Sequence, residues 1–138
     1  MLILSTSDIK GQCFVETKNL DGETNLKIKC ADKEMHQMFG EINKMIYIDG
    51  IVSCEKPNNA IYKFEGAAEF SGIKNKISLS IDNLLLRGSS LKNTEYIYGI
   101  TIFQGHDTKV MKNSAGGRYK FSQLEKYTNI SILIVFIL

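Results

Sequence analysis

The stretch TEYIYGITIFQG, residues 94–105, places Tyr96, Tyr98, Ile100 and Ile102 on one face of an extended chain and Ile97, Gly99, Thr101 and Phe103 on the other. Side chains alternate across a strand, so a run apolar on both faces predicts a strand central in a sheet or sandwich. Working outward, KISLSI (76–81), AIYKFEG (60–66, after a Pro57-Asn58-Asn59 turn), GIVSCE (50–55) and QCFVET (12–17) read as further short strands. One segment differs. ADKEMHQMFGEINKMI, residues 31–46, sets Met35, Met38, Phe39, Ile42, Met45 and Ile46 at steps of three and four, the stripe of an amphipathic helix packed on a core. Gly40 weakens that helix by about 1 kcal/mol relative to alanine and blurs its limits. The expected fold is mainly β with one inserted helix.

The 138 residues include one proline, 43% hydrophobic and 23% charged residues, the composition of one ordinary globular unit. A net charge of +2, with both signs interspersed, excludes the basic footprint of a nucleic-acid binder. Cys13, Cys30 and Cys54 fit neither a metal-ligand spacing nor a paired framework, which predicts reduced thiols in a cytosolic setting. MLILSTSDIKG has no basic leader and is no signal peptide.

At the other end, ISILIVFIL from Ile130 is apolar except for Ser131, about half of the roughly 20 residues that span a bilayer. A buried strand would also suit Ile and Val, but the preceding QLEKYTN carries no turn signal. Lys112, Arg118 and Lys120 precede the run against Glu125 alone, the charge pattern of a cytoplasmic flank. The expectation is a cytosolic unit over 1–122, with NSAGGRYK (113–120) as linker, and the start of a membrane helix over 123–138.

No complete active site is legible. The chain contains no Gly-x-x-x-x-Gly-Lys-[Ser/Thr] loop, no Gly-x-Ser-x-Gly elbow and no His-Glu-x-x-His. His36 reads as a helix-surface residue, His106 as a turn residue, and Cys54 beside Glu55 as a thiol without an activator. What remains is FVETKNLDGETNLKIK, residues 14–29, where Asp21-Gly22-Glu23-Thr24 sits in a polar loop at a strand end. Asp-Gly is also a common hairpin turn. Gly22 lets the backbone approach another surface, and Glu23 follows with a carboxylate able to orient a water or take its proton. Asn19 and Asn25 are candidates to brace the loop through side-chain bonds to the backbone.

NLDGETNLK resembles the actuator-domain signature of the type-IV P-type ATPases, the phospholipid flippases. CEKPNNAIYKFEG (54–66) resembles that family's Cys-Glu-x-Pro-Asn-x-x-Leu-Tyr-x-Phe-x-Gly segment, with Ile61 where leucine is usual. LLLRGSSLKNTEYIYGITIFQGHDTKVMKN (84–113) resembles the stretch leading to the third membrane helix, with Ser89 for a frequent cysteine and Thr101 for a frequent valine. Three ordered motifs cover most of the chain. Cation-pumping relatives typically carry Thr-Gly-Glu in place of Asp21-Gly22-Glu23, which disfavours that branch.

The resemblance implies a distorted jelly-roll actuator domain lacking its first strands, cut from the loop between the second and third membrane helices of an ATP-driven phospholipid translocase. In that family an aspartate of another domain takes the γ-phosphate of ATP, and the actuator swings in to have the aspartyl phosphate hydrolysed. Carried over by position, Glu23 positions the attacking water, Gly22 and Thr24 shape the loop at the phosphate, and Asp21 stands where other P-type ATPases have threonine. Arg87 and Lys92 become possible contacts to the phosphorylation or nucleotide-binding domain. ATP and Mg2+ would bind those absent domains, since no Asp-Lys-Thr-Gly-Thr motif occurs here, and the fragment alone would be inactive. Membrane lipid and a small accessory membrane subunit are the other implied partners. The rival from another class is a non-catalytic β-rich binding or regulatory module tethered to a membrane, with Glu23 in an inert turn.

Overall fold

The computed structural model describes residues 1–114 and 123–137. Within the first segment, eight strands form three antiparallel sheets with short helices between them, the β-rich class expected. β1 (Leu2–Thr6) pairs with β8 (Ile97–Ile100); β2 (Gln12–Glu16) lies between β3 (Lys27–Cys30) and β7 (Ser90–Lys92); β5 (Gly66–Phe70) lies between β4 (Gly50–Cys54) and β6 (Ile77–Leu79). The helices are α1 (Lys18–Asp21), α2 (Lys33–Met38), α3 (Ile42–Met45), α4 (Lys109–Ser114) and α5 (Gln123–Ile137).

β1 is the wall between two cores, and all of its residues are buried. Leu2 and Leu4 join Met35, Phe39, Phe64, Phe70, Ile77 and Leu79 on one side. Ile3 meets Cys13, Val15 and Ala31 on the other, so the β3-β2-β7 sheet packs against the opposite face. Each such aliphatic side chain contributes about 1.5–3 kcal/mol by leaving water. Phe39 closes the larger core edge-on to Phe70, with ring centroids 5.2 Å apart. Asp32 caps α2 by accepting from the Glu34 and Met35 N–H groups, which fixes the turn that delivers Met35 and Phe39 inward.

Several expectations are corrected. The strand of residues 94–105 is ordered as β8 only over Ile97–Ile100, and its partner is β1 alone. It is apolar on both faces because Ile97 packs on one core while Ile100, Ile102 and Phe103 pack on the other. AIYKFEG is a turn, and the strand there begins at Gly66. Asn58 explains this: its side chain accepts from the Ala60 N–H at 3.0 Å and donates to the Lys56 carbonyl at 3.2 Å, local bonds that compete with a ladder. The single helix of 31–46 is two, α2 and α3, broken around Gly40, and Ile46 is 72% exposed rather than part of the stripe. His36 is half-buried, its Nδ1 2.9 Å from the hydroxyl of buried Ser5, rather than free on the surface.

The apolar end is helical: α5 spans Gln123–Ile137, and its residues from 127 onward are exposed. At 1.5 Å per residue it is roughly 22 Å long. Among the described residues no helix is long and apolar enough to cross a membrane. Asn113 and Ser114 of the expected linker belong to α4. The rest of that linker, with Arg118, Lys120 and the boundary at 122, and also Leu138, lie outside the described residues.

Replacing Phe39 by alanine opens a cavity between α2 and β5. Urea denaturation should show a loss of about 3–5 kcal/mol, the usual cost of removing a buried phenyl group.

Candidate functional site

The loop of Asp21, Gly22, Glu23 and Thr24 is the tip of the β2–β3 hairpin, whose ladder runs from Gln12 opposite Cys30 to Val15 opposite Lys27. The tip is not a two-residue Asp-Gly turn. After Thr17 the chain makes one helical turn, α1, and Gly22 ends it in the left-handed region at φ 77°, its N–H donating to the Lys18 carbonyl at 3.0 Å. A Cβ at Gly22 would meet nothing within 4 Å, so the residue is required for its dihedral and not for space.

Asp21 points back into the fold, and its side chain is only 6% exposed. Thr17 Oγ1 donates to the Asp21 carboxylate at 3.0 Å, and the Glu23 N–H donates to Oδ1 at 3.0 Å. Tyr62 Oη donates to Oδ2 at 3.2 Å, and Lys27 Nζ donates to the same oxygen. The Lys27 ammonium, helped by the Glu23 amide and the Thr17 hydroxyl, holds the Asp21 carboxyl well below the usual carboxylate range. Lys27 also pairs with Glu23 Oε2 at 2.9 Å and lies 5.2 Å from the centre of the Tyr62 ring. Its own pKa is raised, chiefly by the bonds to Asp21 and Glu23.

Glu23 meets the same Lys27 ammonium from the solvent side, with its side chain 53% exposed. Thr24 and Asn25 beside it are exposed too. Asn19 is likewise exposed, and among the described residues no hydrogen bond of the Asn19 or Asn25 side chain braces the loop. Thr17, Lys27 and Tyr62 take that role. Behind the loop lies a cavity of about 460 Å3, lined by Thr17, Asp21, Glu23, Lys27, Lys29 and Tyr62 over an apolar floor that includes Leu84 and Leu86. All three sequence motifs therefore meet around Asp21.

Arg87 is exposed and lines an adjoining recess of about 630 Å3, which shares Val15, Leu84 and Leu86 with the first cavity but does not reach the loop; it makes no ion pair among the described residues. Lys92, on β7, lies 3.6 Å from Glu16 with its side chain 49% exposed. The middle motif does something that spacing did not show. Glu55 Oε1 and Asn58 Oδ1 accept from Lys109 Nζ at 2.9 and 2.7 Å, and Asn113 donates to the Asn59 carbonyl at 2.9 Å, which staples α4 to residues 55–59. Lys109 is buried, so losing Glu55 would strand its charge. Cys13, Cys30 and Cys54 are free thiols. Burial pushes Cys13 up to about 11 and raises Cys54 as well, with Glu55 adding, the opposite of activation.

The lowered pKa of Asp21 fixes a sign. Its contribution to stability is full above the unfolded carboxylate value, about 4, and is lost as pH falls through the folded value. Asp21→Asn should therefore be less stable than the parent at neutral pH, with the two unfolding curves converging as pH drops below 4. A gap that stays constant down to acid pH would contradict the assignment.

No family model matches the chain. Over 136 residues, 99% of the chain, it is 42% identical to the human protein named phospholipid-transporting ATPase ID. It is 43% identical over 133 residues, 96% of the chain, to human phospholipid-transporting ATPase VA. Phospholipid-transporting ATPase IC of Xenopus tropicalis is 40% identical over 138 residues, 100% of the chain. The chain spans about a tenth of these relatives, 11%, 9% and 11% of their lengths.

Proposed function

Since the chain is homologous along nearly its whole length to one segment of the phospholipid-transporting ATPases, the type-IV P-type ATPases, we propose that it is the actuator domain of such an ATPase and catalyses loss of phosphate from an aspartyl-phosphate intermediate. Glu23 is the group that acts. The observation that carries this reading is its carboxylate, half-exposed at the tip of a loop that is fixed from behind through Asp21.

The reaction is hydrolysis of an acyl phosphate carried by another domain. A water held by Glu23 attacks phosphorus, the carboxylate of the phosphorylated aspartate leaves, and Glu23 takes the proton of the water as inorganic phosphate forms. Gly22 and Thr24 form the surface that meets the phosphoryl group, with the left-handed backbone of Gly22 setting the turn. Among the described residues no three His, Cys, Asp or Glu side chains gather as a metal site. ATP and Mg2+ are assigned to the phosphorylation and nucleotide-binding domains of the full-length chain on the likeness to ATPases.

Docking of those domains brings the phosphate to Glu23, and Arg87, exposed without an ion-pair partner among the described residues, is the cation best placed to meet them; Lys92 is the second. α5, apolar on every side from Ile130 onward and exposed, enters the bilayer as part of a membrane helix and leaves the β-rich unit in the cytosol. Phospholipid translocation, and any accessory subunit, belong to the whole transporter.

In the full-length ATPase that carries this segment, Glu23→Gln should leave phosphorylation by ATP intact and lengthen the life of the phosphoenzyme by about 100-fold or more, the usual contribution of a positioned acid–base group. Quench-and-chase labelling with ATP measures both rates. Normal phosphoenzyme decay in that variant would remove the role given to Glu23.

A further inference from the structure

Glu23 is tied at both ends to a single ion pair. Its N–H donates to Asp21 Oδ1 at 3.0 Å, and its carboxylate accepts from Lys27 Nζ at 2.9 Å. Lys27 in turn donates to Asp21, and Tyr62 donates its hydroxyl to the same carboxylate at 3.2 Å while its ring faces the ammonium. We propose that Asp21 and Lys27 are the positioning pair for Glu23, with Tyr62 coupling that pair to the segment after β4. This assignment rests on the reading of Glu23 as the dephosphorylation catalyst. It also changes the role of Asp21, which braces the loop from inside and does not touch the reacting phosphate.

The physical argument concerns entropy. A half-exposed glutamate paired with a freely moving surface lysine gains little, because two long side chains must be ordered and water screens them. Here the lysine is already immobilised: its ammonium is held by an aspartate whose side chain is 6% exposed, and that ammonium lies over the Tyr62 ring, 5.2 Å from its centre. Glu23 therefore leans on a fixed cation rather than a moving one. Thr17 completes the anchor from the end of β2, so the loop is referenced to the sheet itself. The Lys27 ammonium holds the Asp21 pKa below its ordinary value, so the pair stays charged into the acid range. Lys29, the next inward residue of β3, is not interchangeable with Lys27: it donates to the Ile81 carbonyl at 2.7 Å and faces Asp82 at 3.7 Å.

The variants are Lys27→Met, Lys27→Arg and Tyr62→Phe in the full-length ATPase, compared with Glu23→Gln. Lys27→Met keeps the stem and removes the charge. Phosphoenzyme formation should be unchanged and its decay slowed by roughly tenfold to a hundredfold, the scale set by misplacing a reacting group by about 1 Å. Lys27→Arg should recover decay to within about threefold of the parent, and Tyr62→Phe should slow it by about threefold. Normal decay in Lys27→Met beside slow decay in Glu23→Gln would overturn the positioning pair and leave the catalytic reading standing. Normal decay in Glu23→Gln would remove that reading and the pair together. If Lys27→Met lowered the melting temperature, slowed formation and decay alike, and Lys27→Arg rescued neither, the residue would be a structural support and the proposal would be wrong.

Discussion

The Asp21 carboxylate gathers the Thr17 hydroxyl, the Lys27 ammonium, the Tyr62 hydroxyl and the Glu23 N–H, and the shape of the hairpin tip depends on that convergence. Three of these donors come from different places: the end of β2, the start of β3 and the turn after β4. A buried carboxylate with several donors is stable only when charge and hydrogen bonds are both supplied, and here they are. The consequence is a division of labour between two acidic residues two positions apart. Both meet Lys27, but the Asp21 side chain is 6% exposed and that of Glu23 53%.

The frame behind the loop has its own centre in β1. Because β1 is buried on both faces, the β3-β2-β7 sheet and the β4-β5-β6 sheet with α2 sit on opposite sides of one strand. The hairpin that carries the loop belongs to the first, and Tyr62 is delivered from beside the second. The loop is thus referenced to both halves of the unit, which suits a part that must deliver one carboxylate as a rigid body. The Lys109 staple to Glu55 and Asn58 fixes α4 in the same way.

The β-rich class and the strand before the loop were legible in the residues. β1 was not. LILST has three apolar residues followed by Ser5 and Thr6, too short a run to separate a doubly buried strand from a stretch of helix, and only the packing on both sides decides between them. AIYKFEG looked like a strand because Ala60, Tyr62 and Phe64 alternate with their neighbours, yet the Asn58 side chain bonds a local turn. The helix stripe was right at Met35, Met38, Phe39 and Met45 and failed at Ile46, while its continuous helix broke around Gly40. In the site, Asn19 and Asn25 were natural candidates as braces because asparagine bonds its own backbone so readily. The actual braces are long-range: Tyr62 lies 41 positions from Asp21, a distance that no local pattern reports. Lys27 was within reach, since a lysine four residues after Glu23 is a standing invitation to an ion pair.

The central claim is that Asp21 orders the residue that acts, and amide hydrogen exchange at Glu23 tests it with the chain alone. The account predicts that the Glu23 N–H, bonded to Asp21 Oδ1 at 3.0 Å, exchanges measurably more slowly than in an unstructured peptide and that Asp21→Ala abolishes the protection while the β2–β3 ladder stays protected. A Glu23 amide that exchanges at the unstructured rate in the parent chain would contradict it.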